Sequence, residues 1–126
     1  EDVTLLAIGH PVVAAMEAAE KLAAEGVSVR VVNARFAKPL DREFLLGVAR
    51  RTPLLVTLEE NTFVGGFGDA VREALEGENI AVRTIALPDA FVEHGAQPKI
   101  REKAGLSAEK IAARVMEFRR QRQAVS

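Results

Sequence analysis

Apolar positions follow two spacings that alternate along the whole chain. Residues 3–8 and 54–58 are apolar almost without interruption, which is typical of strands covered on both faces of a parallel sheet. Residues 27–32 and 80–87 alternate with polar positions and each contain an arginine, which favours edge strands. With right-handed crossovers, the pattern predicts a three-layer α/β/α domain with a mostly parallel sheet in the strand order 2-1-3-4.

Four helices are predicted after these strands. The first begins at Pro11, which needs no N–H partner there, and ends at Gly26 in the left-handed role of a helix terminus. Asp41 is expected to cap the second helix and Ser107 the last. The third follows the glycine-rich turn at 65–68. The expected core-facing residues are Val12, Met16, Ala19 and Ala23, then Phe44, Leu45 and Val48, then Val71 and Leu75, and finally Ile111, Val115 and Phe118.

Composition places the chain among packed globular domains. It has 126 residues, of which 48% are apolar and 28% charged. It has no cysteine, which excludes a disulfide, a thiol nucleophile and a cysteine-based metal site. No apolar run is long enough for a membrane span, and Glu1 and Asp2 do not open a signal peptide. Without an initiator methionine, we expect residues 1–126 to be a single domain cut from a longer chain.

Charge argues against a nucleic-acid partner. The chain has 17 basic and 18 acidic residues, and its aromatic residues are six phenylalanines, which offer little for base stacking. The distribution is uneven, because residues 97–126 hold 8 basic and 3 acidic side chains and end in Arg119, Arg120 and Arg122. A solvated helix end, with cations at the negative pole of the helix dipole, is the favoured interpretation. A contact for an acidic surface is the alternative.

The predicted strand order reverses between the first and third strands. A ligand crevice would therefore open beside residues 9–11 and 59–68. Gly65, Gly66 and Gly68 precede a helix start, where backbone N–H groups can bind phosphate. However, no Walker lysine follows them, and the first turn lacks the dinucleotide fingerprint. We favour a tight turn with close helix–sheet packing, and keep a site for a small anionic effector as the alternative.

Two adjacent carboxylates end the third strand. Neighbours on a strand point to opposite faces, so Glu59 and Glu60 do not form an acid/base pair, and capping or bridging a nearby loop is favoured. His10 and His94 lack ligand-type neighbours, and no serine lies at a nucleophile elbow. We predict no catalytic, cofactor-binding or metal-binding residue in this chain. The structural or interface candidates are Glu59, Glu60, Asn61, Gly65, Gly66, Gly68 and His94.

Five stretches of the chain form a pattern when they are read in order. They are VVNARFAKPLD at 31–41, VTLEEN at 56–61, GGFG at 65–68, LPDAFVEHG at 87–95 and KAGLSAEKI at 103–111. Together they resemble the C-terminal domain of transketolase-like thiamine diphosphate enzymes, and the resemblance covers residues 3 to about 116. The segment 39–41, with the Glu-Glu pair at 59–60 and the Gly-Gly pair at 65–66, indicates the wider group, which includes transketolases and 2-oxoacid dehydrogenase β subunits. Residues 33–36 and 87–95 narrow the resemblance to 1-deoxy-D-xylulose-5-phosphate synthases.

The resemblance implies a transferase that condenses pyruvate with glyceraldehyde 3-phosphate and releases CO2, supplying isoprenoid, thiamine and pyridoxal synthesis. It implies that thiamine diphosphate and Mg²⁺ are held by the other, N-terminal domains of a cytoplasmic, bacterial homodimer. This third domain would then be structural, supporting the dimer, and inactive alone. The alternatives are the matching domain of a transketolase or of a 2-oxoacid dehydrogenase β subunit, or an effector-binding module.

Overall fold

The computed structural model describes residues 2–8, 11–34, 42–60, 66–87 and 97–125, with the backbone alone at 60, 97–106, 124 and 125. Strands and helices alternate along the described chain, as the sequence predicts. The elements are β1 (Val3–Ala7), α1 (Pro11–Ala24), β2 (Val29–Asn33), α2 (Arg42–Ala49), β3 (Leu54–Glu60), α3 (Phe67–Ala74), β4 (Ala81–Leu87) and α4 (Gln97–Val125).

The four strands form one parallel sheet in the order β2-β1-β3-β4, which confirms the predicted topology. Leu5 in the middle of β1 pairs with Val31 on one side and Val56 on the other. Every residue of β1 is buried, whereas every residue of β2 is half-buried. The continuous apolar runs therefore lie at the centre of the sheet, and the alternating strands lie at its edges, as expected for a sheet with helices on both faces.

Each face of the sheet has its own hydrophobic core. Alternate strand residues pack under α1 and α4 on one face, and the others pack under α2 and α3 on the opposite face. We call these layers the α1/α4 core and the α2/α3 core. The predicted stripes of α2, α3 and α4 are confirmed. The buried residues are Leu45 and Val48, Val71 and Leu75, and Ile111, Val115 and Phe118, with Phe44 partly buried beside them.

The predicted core-facing stripe of α1 is not the one that the fold buries, although Val12 packs against the α1/α4 core. Met16 and Ala23 are exposed, and Val12 and Ala19 are half-buried. The helix is apolar over a wide arc, and it packs on the sheet and on α4 through three alanines together with Pro11 and Leu22. The predicted residues form a second apolar stripe, rotated by about 100° from the first. The buried residues of α1 are Pro11, Ala14, Ala15, Ala18 and Leu22.

The predicted start of the last helix is also wrong. The helix begins at Gln97, ten residues before the expected cap, and Ser107 lies half-buried in its interior. Pro98 falls in the first turn, where no N–H partner is needed. Residues 99–104 are mostly strong helix formers, which offsets the unfavourable Gly105. The predicted cap of α2, Asp41, lies outside the described residues.

Gly26 ends α1 in the way the sequence predicts. Its φ is +84°, in the left-handed region. The Gly26 N–H donates to the Ala23 carbonyl at 3.0 Å, and the Val27 N–H donates to the Leu22 carbonyl at 2.9 Å. These two bonds satisfy carbonyls at the helix end that would otherwise lack partners. The chain therefore turns sharply from α1 into β2.

Replacing Gly26 with alanine should lower the free energy of unfolding by about 1–2 kcal/mol, because a Cβ is unfavourable in the left-handed region. No atom lies within 4 Å of the added Cβ, so the backbone alone accounts for the loss. Gly26→Asn should lose less, since asparagine tolerates this conformation. Urea unfolding of both variants measures the difference, and equal losses would contradict a conformational cause.

Candidate functional site

Glu59 lies near the carboxyl end of β3 on the side of the α2/α3 core. Its side chain is 2% exposed. Its Oε1 accepts a hydrogen bond of 2.8 Å from the backbone N–H of Gly68, the second residue of α3. The first amides of a helix have no partner within the helix, so a carboxylate there satisfies a donor and complements the helix dipole. Glu59 thus caps α3 from the neighbouring strand.

Gly68 brings the start of α3 directly onto the sheet. A Cβ at this position would lie 2.5 Å from Thr84 Oγ1 and 2.6 Å from Glu59 Oε1. It would also lie 3.0 Å from Thr57 Oγ1. These separations are below ordinary van der Waals contact, which begins near about 3.5 Å between heavy atoms. The close approach of helix and sheet therefore depends on glycine at residue 68.

Polar side chains surround this contact. Thr57 and Thr84, which pair across β3 and β4, share a hydrogen bond of 2.8 Å between their hydroxyl oxygens. Arg72 on α3 donates to the Thr84 hydroxyl at 3.4 Å. We call this group the β3–α3 polar cluster. It consists of Thr57, Glu59, Gly68, Arg72 and Thr84.

The cluster opens to solvent at Arg72. The arginine forms an ion pair with Asp69 at 3.3 Å, and their side chains are 53% and 67% exposed. Water screens such an exposed pair, so it contributes little to stability. The buried contact between Glu59 and Gly68 is therefore the stronger part of the cluster.

The cluster holds α3 against the sheet and offers little to an anion. A phosphate at this helix start would compete with the Glu59 carboxylate for the Gly68 amide, and the two negative charges would repel. Among the described residues, no group of three or more histidine, aspartate or glutamate side chains could hold a metal ion.

The other candidates are placed only in part. Gly66 is exposed and has a φ of −77°, so no left-handed backbone requires glycine there. The backbone of Glu60 pairs with Leu87 in the ladder between β3 and β4. The Glu60 side chain lies outside the described residues, as do Asn61, Gly65, His94 and His10.

Sequence reasoning missed the polar residues that accompany Glu59. Thr57 interrupts the apolar run of β3, Thr84 follows Arg83 in β4, and the strand register places the two threonines side by side. A threonine in a buried strand is a weak signal, because its methyl group packs as well as its hydroxyl binds. Nothing in the sequence indicates a role for Arg72, because arginine is common at exposed positions of helices.

Residues 1–111 match the family model described as "Transketolase, C-terminal domain". The chain belongs to the transketolase C-terminal domain family. The four-stranded parallel sheet in the order 2-1-3-4, with helices on both faces, agrees with this assignment. In the described part of this transketolase C-terminal domain, none of the helices has both the length and the apolar character that a membrane span requires.

Curated relatives that match most of the chain are named as synthases. The domain is 48% identical over 121 residues to 1-deoxy-D-xylulose-5-phosphate synthase 1 of Geobacter sulfurreducens, covering 94% of the chain and 19% of that protein. It is 52% identical over 120 residues to the synthase 1 of Geobacter metallireducens, covering 93% and 19%. It is 50% identical over 113 residues to the Aquifex aeolicus synthase, covering 88% and 18%. The domain therefore spans about one fifth of these relatives, and the resemblance seen in the sequence is confirmed.

Replacing Gly68 with alanine should lower the free energy of unfolding by about 1–3 kcal/mol, because the added Cβ overpacks the helix–sheet contact. Gly47 provides the matched control. It lies exposed inside α2 with no atom within 4 Å of an added Cβ. Gly47→Ala should raise stability by about 0.5–1 kcal/mol through helix propensity. Denaturant unfolding of both variants is the test, and a stabilised Gly68→Ala protein would contradict the close contact.

Proposed function

We propose that this chain is the C-terminal domain of a 1-deoxy-D-xylulose-5-phosphate synthase. The observation that carries the proposal is the match to relatives of that name, at 48–52% identity over 88–94% of the chain. The family model by itself does not separate a synthase from a transketolase or a 2-oxoacid dehydrogenase β subunit. The whole protein would join pyruvate to glyceraldehyde 3-phosphate with loss of CO2, as the resemblance implies.

The implied cofactor, thiamine diphosphate with Mg²⁺, does not fit the described residues. The start of α3 presents the buried Glu59 carboxylate, which already accepts from the Gly68 amide and would repel a diphosphate. The described residues contain no group of three side chains suited to a metal ion. These two observations support cofactor binding by the other domains of the protein.

The role we propose for the domain itself is structural. Its described residues form two hydrophobic cores, and the buried carboxylate of Glu59 accepts a hydrogen bond from the first turn of α3. A domain of this kind stabilises the subunit and the proposed homodimer by providing a rigid surface for the rest of the protein. The proposal places the whole protein in the cytoplasm of a bacterium.

The activity is tested on the whole protein with three substrate combinations. Pyruvate with glyceraldehyde 3-phosphate should yield deoxyxylulose phosphate and CO2, and the yield should depend on added thiamine diphosphate and Mg²⁺. A ketose donor with an aldose acceptor tests transketolase, and a 2-oxoacid with a lipoyl acceptor tests the dehydrogenase subunit. Turnover in either of those assays without deoxyxylulose phosphate would overturn the assignment.

The structural role is tested with Glu59 variants of the whole protein. Glu59→Ala leaves the buried Gly68 amide without its acceptor, which should lower stability by about 1–3 kcal/mol. Glu59→Gln keeps an acceptor oxygen and should lose less. Thermal unfolding measures both losses, and turnover per folded molecule should stay within about twofold of the parent if the bond has the structural role that we propose.

One result would contradict the structural role. If turnover collapses in Glu59→Ala while the fold, the oligomeric state and the affinity for thiamine diphosphate are retained, the domain contributes to the reaction directly. The structural role would then be wrong, even if the substrate assay identifies a synthase.

A further inference from the structure

The large apolar side chains that reach solvent in the described structure lie close together in sequence. Ile8, Val13 and Met16 are 43%, 57% and 59% exposed, and the other large hydrophobic residues described are buried or half-buried. These three lie within nine residues of sequence, at the end of β1 and in the first half of α1. Single exposed apolar residues are common on proteins, but a concentration of them marks an interaction site.

The second apolar stripe of α1 extends this region. At about 100° per residue, Val12, Met16, Ala19 and Ala23 fall within an arc of about 60°, and Val13 lies about 60° beyond Met16. Val12 also packs against the α1/α4 core, so the stripe continues from the core to the surface. We call this region the α1 apolar surface. It consists of Val12, Val13, Met16, Ala19 and Ala23.

The predicted stripe of α1 carries no charge, but one carboxylate borders the α1 apolar surface. The charged residues of α1 are Glu17, Glu20 and Lys21. At about 100° per residue, Glu20 falls between Met16 and Val13, whereas Glu17 and Lys21 lie outside the region. A charged partner would lose hydration against the apolar side chains, and only a group beside Glu20 could form an ion pair. The surface therefore suits an apolar face of another protein segment, with at most a donor or a cation beside Glu20.

We propose that the remaining part of the parent polypeptide packs on the α1 apolar surface. The chain spans 19% of its synthase relatives, so about four fifths of such a protein lies outside it. Domains of one chain meet through interfaces of about 600–1,500 Å². A tethered domain also has an effective concentration near the millimolar range, and therefore reaches an apolar surface before a free molecule does. This inference rests on the proposed function.

The chain contains two methionines, which provide a test and its reference. Met16 belongs to the α1 apolar surface, whereas Met116 is half-buried against the α1/α4 core. The intact protein is treated with dilute hydrogen peroxide, and the sulfoxide formed at each methionine is measured by peptide mass spectrometry. Each rate is divided by the rate of the same residue in urea.

In the intact protein we expect Met16 to be oxidised at least about tenfold more slowly than in urea, because sulfoxide formation requires access to the sulfur. Met116 should be protected to a similar or greater degree. If Met16 reacts at nearly the unfolded rate while Met116 stays protected, the surface is open to solvent in the whole protein, and the inference is wrong.

Dilution distinguishes packing by the same polypeptide from packing by a second copy. The oxidation is repeated at a protein concentration at which sedimentation shows single subunits. Protection of Met16 that persists in the single subunit supports packing by the same polypeptide. Protection that disappears on dissociation assigns the surface to a second copy and overturns the proposal. The substrate assay remains separate, so an active synthase with an oxidisable Met16 refutes this inference alone.

Substitution gives a second measurement. Met16→Glu places a charge in the interface, and Met16→Leu keeps the side chain apolar and similar in volume. Since Met16 is 59% exposed in the domain, neither change disturbs its core. Limited proteolysis of the intact protein should release the domain about tenfold faster in Met16→Glu than in Met16→Leu, as expected when a docked interface is weakened. Equal release rates would contradict domain packing on this surface.

Discussion

Burial of β1 and β3 on both faces is the constraint on which the rest of the fold depends. Each strand has a neighbour on both sides, and the residues of β1 are all removed from solvent. A parallel sheet with such a centre requires helices on both faces, and the crossovers between parallel strands supply them. The α1/α4 core and the α2/α3 core are the two results of this requirement.

The same burial explains the β3–α3 polar cluster. Near the end of β3 the chain places a carboxylate, Glu59, in the layer between sheet and helix, where an unpaired charge would be costly. The amide of Gly68 provides its partner, and the absence of a Cβ at that residue lets the helix come close enough. Gly68, the last residue of a glycine turn that resembles a phosphate site in sequence, donates its N–H to the protein's own carboxylate.

The helices differ in how many of their apolar residues are buried. The described stripes of α2 and α3 face the α2/α3 core, and that of α4 faces the α1/α4 core. In α1, Ala14, Ala15, Ala18 and Leu22 contact the core, whereas Val13 and Met16 remain exposed. An exposed apolar side of α1 is expected in a domain that packs against a neighbouring domain. The chain spans 19% of its relatives, which agrees with such a neighbour.

The sequence by itself determined the element order, the central and edge strands, and the family. These follow from local patterns: continuous or alternating apolar runs, Pro11 and Gly26 at helix ends, and motifs that span nearly the whole chain. It also indicated that Glu59 and the glycine turn belong together at the carboxyl end of β3. It did not show which glycine makes the close contact with the sheet, because Gly66 and Gly68 belong to the same glycine-rich turn.

Tertiary structure decided what depends on distance between separate elements. The close contact at Gly68 exists because Thr57 and Thr84 lie beneath it on two strands, which no local pattern reveals. The choice between two apolar stripes on α1 was made by its packing against both the sheet and α4, which buries the stripe of Ala14, Ala18 and Leu22. The start of α4 at Gln97 reflects helix formers that outweigh a cap signal at Ser107. Periodicity fixes which residues share a side of a helix, but the neighbour that approaches most closely selects the side that is buried.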